Sequence, residues 1–155
     1  MSLVGTNAPD FTLLDHARKP VHLAELRGSR VVLAFFPAAF TGVCTKELCT
    51  FRDAMAQFND LNAKVLAISV DAPFTNAAFA EKNALTFPVL SDYARAATIA
   101  YGVAMNDFAG MPGYTASKRA VFVVDAAGKI TWDWVGPNPG VEPDYAAVQA
   151  AVKAA

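Results

Sequence analysis

Two stretches of this chain, "RVVLAFF" at Arg30–Phe36 and "KVLAISV" at Lys64–Val70, are apolar almost without interruption. A strand with one wet face alternates polar and apolar residues, so a run this continuous needs cover on both faces. Each run is of strand length, and helical sequence lies between them. The pattern calls for a central sheet sandwiched by helices, an α/β domain.

The rest of the chain fits that frame. "FTLLD" and "PVHL" flank the turn-rich "HARK" and predict an N-terminal β-hairpin. A helical pattern runs from Thr41 to about Leu61, and "APFTNAAFAEKNA" predicts a helix beginning near Pro73, a residue suited to a first turn. A short strand "FPVL" follows, then a helix "ARAATIAYG" that stops at Gly102. Residues 103–118 read as a loop, because glycine and proline cluster there. "RAVFVVD" and "KITWDWV" around "AAG" predict a second hairpin, and "PDYAAVQAAVKAA" a last helix with Pro143 at its start. The order resembles a thioredoxin-like arrangement: a mixed central sheet flanked by helices, with an N-terminal β-hairpin and an insertion between its halves. One domain over residues 1–155 is expected.

Composition excludes several classes of function. Lys plus Arg is 13 against 14 for Asp plus Glu, which gives no electrostatic reason to expect nucleic acid or an anionic membrane as partner. No apolar stretch approaches the roughly 18 residues that span a bilayer. The N-terminus "MSLVGTNAPDFTLLD" has neither the basic nor the apolar segment of a secretory signal, so a cytoplasmic location is expected. The chain has 2 cysteines, too few for a disulfide scaffold. His16 and His22 lie in the first hairpin, away from "CTKELC", so no four-ligand metal site is expected. No Gly-rich phosphate loop follows a strand, and no cofactor is indicated. Trp132 and Trp134 share one strand face and read as packing.

Function in open α/β sheets collects where strands end and helices begin. "FFPAAFTGVC" is such a junction. Thr41 is a candidate N-cap, which places Gly42, Val43 and Cys44 at the first three helical positions. Unpaired N–H groups and the positive end of the helix dipole favour an anion there, and a thiolate is one. A second reading competes. Residues 44, 48, 51, 55 and 58 follow the spacing of one buried stripe, and free cysteine is often an inert core residue. Position alone leaves both open.

The residues around Cys44 separate the two readings. Pro37, Thr41 and Cys44 form a Pro-x-x-x-Thr-x-x-Cys pattern after a strand and at a helix start, and here the chain resembles the peroxiredoxins. "VVLAFFPAAFTGVCTKEL", "TFPVLSD" and "FVVDAAGKI" resemble the corresponding family segments, so the likeness covers nearly the whole chain. It implies a thiol peroxidase in which Cys44 attacks a hydroperoxide oxygen and becomes a sulfenic acid. Thr41 would then hydrogen-bond the thiolate and the bound peroxide, and Pro37 would shield the thiolate from water. Glu47 would help to order the active-site hydrogen bonds. Arg119, in "SKRAVFVVD", matches the arginine that this family places beside the thiolate.

Magnitudes show why that arginine matters. A free thiol of pKa about 8.5 is about 3% ionised at pH 7, so full ionisation offers at most about 30-fold. Lowering the pKa by about 2.5 also weakens the nucleophile roughly tenfold, given a Brønsted slope near 0.4–0.5. The net gain is small. Most of the rate must come from donors aimed at the charge that grows on the leaving oxygen, each worth about 3–4 kcal/mol. Arg119, Thr41 and the Cys44 N–H are the candidates.

Cys49 stands five residues after Cys44. On a helix that is a rotation of about 500° and a Cα–Cα distance of about 8.7 Å, whereas a disulfide needs about 7 Å at most. The pair cannot bond while the helix is intact, but it can after local unwinding. Peroxiredoxins of the bacterioferritin comigratory type often carry a resolving cysteine at this spacing, which implies that Cys49 attacks the Cys44 sulfenic acid. "FFPAAFTGVCTKEL" is also similar to the alkyl hydroperoxide reductase E type, which commonly lacks that cysteine; an external thiol then resolves Cys44 and Cys49 is a bystander. The resemblance implies a hydroperoxide substrate and a thioredoxin- or glutaredoxin-like donor. It leaves a homodimer open, with Phe40, residues 72–76 and the 103–114 loop at the site mouth. Two rivals remain. A thioredoxin-like disulfide reductase would need Cys-x-x-Cys, where this chain has four residues between. A non-catalytic redox sensor or binding module would use Cys44 as a switch.

Overall fold

The computed structural model describes residues 2–155. Strands β1 (Thr12–Leu14) and β2 (Pro20–His22) form the first hairpin, and β3 (Arg30–Phe35) follows. Helices α1 (Gly42–Asp53) and α2 (Met55–Asp60) lead to β4 (Ala63–Ser69). Next come α3 (Pro73–Lys82), β5 (Val89–Ser91), α4 (Ala96–Ala100) and two short strands, β6 (Ala104–Met105) and β7 (Ala116–Ser117). The chain closes with β8 (Ala120–Val124), β9 (Ile130–Val135) and α5 (Tyr145–Ala154).

The main sheet has the order β2-β1-β5-β4-β3-β8-β9. Its centre is mixed: β3 runs parallel to β4 and antiparallel to β8. The continuous apolar runs are buried on both faces, as their composition requires. Val32 and Ala34 pack with Cys44, Leu48, Phe51 and Phe58 on one side, together with α3 and α5. Val31, Leu33 and Phe35 pack on the other with Phe122, Tyr101 and the first hairpin. Trp132 and Trp134 pack against the first of these cores.

Several boundaries differ from the sequence pattern, each for a local reason. The helix expected from Thr41 to Leu61 is two helices, broken at Ala54, whose φ/ψ of −94°/1° lies outside the helical basin. The apolar stripe survives the break, since the Phe58 ring still packs 6.0 Å from that of Phe51. Strand β5 starts two residues later than expected because Pro88 has no N–H for the ladder; its carbonyl accepts the Ala67 N–H instead (3.1 Å). The 103–118 loop is tied off by antiparallel β6 and β7, which satisfy its backbone groups. Helix α5 begins after Pro143, capped by Asp144, whose Oδ1 accepts the Ala147 N–H at 3.2 Å. Gly128, at φ 90°, makes the tight turn between β8 and β9. No helix among the described residues is long and apolar enough to cross a membrane.

The C-terminal ends of β3 and β4 and the start of β8 meet at one edge of this sheet, because Phe35 pairs with Ala120 and with Ile68. Arg119 directly precedes β8 and so arrives beside the junction that leads from β3 into α1. The two cores give a clean test of this separation. Phe122 is 1% exposed and packs edge-on against Phe35 and Tyr101, on the sheet face away from Cys44. Phe122→Ala is expected to lower unfolding stability by about 3–5 kcal/mol in denaturant titration, with alkylation of Cys44 by iodoacetamide within about twofold of wild type.

Candidate active site

Helix α1 is held in place by its buried face. Leu48 and Phe51 each contribute about 1.5–3 kcal/mol by burial, against about 1 kcal/mol for a side-chain N-cap. The helix therefore does not depend on a cap, and none is made. Thr41 occupies the N-cap position, but its hydroxyl donates to Ala38 O at 2.8 Å and not to the helix end or to Cys44. The first helical hydrogen bond runs from Thr45 N–H to Thr41 O (2.9 Å), so the amides of Gly42, Val43 and Cys44 precede it at the open end of the helix.

That end forms the floor of an open cleft of about 260 Å³. Pro37, Thr41, Gly42, Val43 and Cys44 line one side, and Phe108, Arg119, Pro139 and Gly140 the other. Both sequence readings of Cys44 hold in geometry. Its side chain is 0% exposed and belongs to the apolar core. Yet Arg119, itself 2% exposed, donates from Nη2 to Cys44 Sγ at 3.2 Å.

The guanidinium is shared. Nη1 donates to Glu47 Oε2 at 3.0 Å, and Nη2 and Nε donate to Pro139 O at 2.8 and 3.3 Å. Burial works against its charge, but the acidic groups of Glu47 and Cys44 outweigh that and hold its pKa above the ordinary arginine value. Glu47 is completely buried, and its Oε1 has no hydrogen-bond partner among the described residues. Its carboxyl is pushed up to about 7, by burial first; Arg119 pulls the other way, and the Glu142 carboxylate adds to the rise. Glu142 is held ionised by the Tyr145 hydroxyl (2.6 Å) and by Lys46 (3.1 Å). One buried cation faces two acidic groups, and it cannot neutralise both. Burial presses the Glu47 carboxyl toward its neutral form, and the guanidinium spans both groups.

Cys49 lies apart from this cluster. Both cysteines are free thiols in one unbroken helix, and the Cys49 thiol turns the other way, donating to Asn83 Oδ1 at 3.6 Å. Arg52 ties the same turn to the end of α3 through Asn83 O (2.6 Å). The structure thus brings Cys44, Glu47, Arg119, Pro37 and the Thr41 backbone together, with Cys49 outside. His16 accepts the Val89 N–H and His22 pairs with Asp10, both far from the cleft in the first hairpin. Pro139 gives no sequence signal, because it acts through a backbone carbonyl. Asp71, whose carboxylate reaches the active-site loop, stands just past the C-terminal end of β4, where such residues are to be sought.

A family model described as the AhpC/TSA family matches residues 4–133. Alkyl hydroperoxide reductase E of Mycobacterium tuberculosis is 44% identical over 130 residues, covering 82% of this chain and 81% of that protein. The crystal structure of peroxidoxin BcpB from Mycobacterium tuberculosis superposes with a TM-score of 0.86 at 31% identity, over 99% of this chain and 98% of that one. The bacterioferritin comigratory protein of Xanthomonas campestris gives a TM-score of 0.82 at 25% identity, over 93% and 90%.

The raised carboxyl of Glu47 has a consequence for stability. The folded state holds a proton that the unfolded chain, near 4.5, has already released, so stability is fullest below about 4.5 and falls as pH rises toward about 7. Glu47→Gln removes that component. Urea titrations across this range are expected to show a smaller loss of stability with pH in the variant than in wild type; equal slopes contradict the assignment.

Proposed function

This chain belongs to the AhpC/TSA family, the peroxiredoxins, and is a thiol-dependent peroxidase; from that premise we propose that Cys44 is its peroxide-reducing nucleophile and Cys49 its resolving partner. The observation that carries the reading is the bond from Arg119 Nη2 to Cys44 Sγ at 3.2 Å, in a buried site where, among the described residues, Glu47 is the only other acidic group on the guanidinium. A cation fixed against the sulfur stays in place as charge moves toward the oxidant.

The chemistry follows from the cleft. The Cys44 thiolate attacks the terminal oxygen of a hydroperoxide in line with the O–O bond. An S–O bond forms, the O–O bond breaks, and the electron pair leaves on the alkoxide or hydroxide, which takes a proton from solvent to give alcohol or water. Arg119 and the amides at the start of α1 are the donors for that growing charge, at a site from which water is largely excluded. Thr41 takes the role of acceptor. Its O–H is engaged with Ala38 O, which leaves the oxygen's lone pairs to accept from a peroxide O–H. Pro37, buried over the sulfur, screens it from bulk water. Glu47 positions Arg119.

The sulfenic acid then reacts with the Cys49 thiol, releasing water and forming a disulfide. The spacing of about 8.7 Å along the helix requires α1 to unwind first. The break at Ala54 supports this, because α2 keeps Phe58 in the core while the first turns of α1 open. A dithiol donor of the thioredoxin or glutaredoxin kind returns both sulfurs to thiols.

Two measurements test this reading. Arg119→Met is expected to lower the second-order rate constant with peroxide by about 10²–10³, the loss typical of one charge-stabilising donor; a rate close to wild type contradicts it. Mass spectrometry after one equivalent of hydrogen peroxide is expected to find a Cys44–Cys49 disulfide in the wild type and a persistent sulfenic acid in Cys49→Ser. A sulfenic acid that persists in the wild type makes Cys49 a bystander and the enzyme dependent on an external thiol.

A further inference from the structure

The loop that carries Pro37 and Thr41 into α1 contains a strained residue. Phe40 has φ 66°, the left-handed region that aromatic residues rarely enter. Such backbone persists only where the surroundings over-determine it. Three anchors do so here. Phe36 N–H donates to Ile68 O at 2.9 Å, and the Phe40 ring packs edge-on against Phe79 with centroids 5.3 Å apart. The third anchor is the carboxylate of Asp71, whose Oδ2 accepts the Ala39 N–H at 2.8 Å.

That carboxylate is itself held. Ser69, fully buried at the end of β4, donates from Oγ to Asp71 Oδ2 at 2.8 Å, and its oxygen accepts the Asp71 N–H at 3.2 Å. Asn76, also fully buried, donates from Nδ2 to Ser69 Oγ and to Ser91 Oγ, both at 3.1 Å. A polar relay thus runs from two neighbouring strands and α3 to a single amide, two residues before Thr41. Buried hydrogen bonds of this kind fix one geometry when every member is satisfied.

We propose that Asp71 is a positioning residue for peroxide reduction: by holding the Ala39 amide it fixes the strained turn at Phe40, and with it the Thr41 oxygen that receives the hydroperoxide. Asp71 does not touch Cys44 or Arg119; it acts through the backbone. The inference rests on the reading of Cys44 and Thr41 above. It predicts a selective defect, because attack on a peroxide needs Thr41 in place and simple alkylation of the sulfur does not.

The test compares two reactions of the reduced protein: the second-order rate constant with hydrogen peroxide, and alkylation of Cys44 by iodoacetamide. Asp71→Ala is expected to lose about tenfold or more toward peroxide, equivalent to about 1.4 kcal/mol, with alkylation within about twofold of wild type. Asp71→Asn keeps an acceptor for the Ala39 amide and the Ser69 hydroxyl, so it is expected to recover most of the peroxide rate. The proposal is overturned if Asp71→Ala keeps the wild-type peroxide rate, if both reactions fall together, or if the asparagine variant is no better than alanine. Cys44→Ser keeps the underlying reading separate: retained turnover in that variant sinks the nucleophile assignment, whereas the outcomes above concern Asp71 alone.

Discussion

The guanidinium of Arg119 joins the two halves of the site. It arrives at the start of β8, reaches across the sheet edge to α1, and meets Cys44 and Glu47 one helical turn apart. Without it, the first turn of α1 would present two buried acidic groups to each other and to hydrocarbon. With it, one positive charge is shared between them, and among the described residues Glu47 Oε1 has no other partner. Burial of the sulfur and the reactivity proposed for it are therefore compatible. A thiolate sealed from water is costly when alone and is sustained when its counter-charge is sealed in with it.

The same helix has a second requirement that conflicts with the first. The reaction proposed for Cys44 needs α1 folded, since its amides and the Arg119 contact exist only then. The resolution proposed for Cys49 needs α1 opened, since the intact helix keeps the two sulfurs on different sides, one at Arg119 and the other at Asn83. The helix meets both demands through its construction. Its C-terminal part is fixed by Leu48, Phe51 and the Arg52 contact to α3, while its N-terminus has no side-chain cap.

Much of this was legible in the residues. The doubly buried runs at β3 and β4 dictated the layered α/β architecture, and the AhpC/TSA match and thioredoxin-fold neighbours agree with it. The helix start at Thr41 gave the position of Cys44, the motif around it gave Pro37, and the family resemblance alone pointed to Arg119. What was not legible is tertiary. No local pattern tells that the Thr41 hydroxyl turns to Ala38, that the long helix breaks at Ala54 without glycine or proline, or that Pro139 contributes a carbonyl to Arg119. The buried stripe on α1 included Cys44 but gave no hint that Glu47 is equally buried, because helical periodicity records apolar faces and a paired charge leaves no mark on it.

The cluster of Cys44, Glu47 and Arg119 is the arrangement on which the rest stands, and the protonation of Glu47 reports its burial most directly. Infrared titration of its carboxyl band, identified by its absence in Glu47→Gln, is predicted to give a midpoint near 7 in the reduced protein. In Glu142→Gln, which removes the neighbouring carboxylate, the midpoint is predicted to fall. A Glu47 that ionises in the ordinary carboxylate range in both proteins would contradict the account.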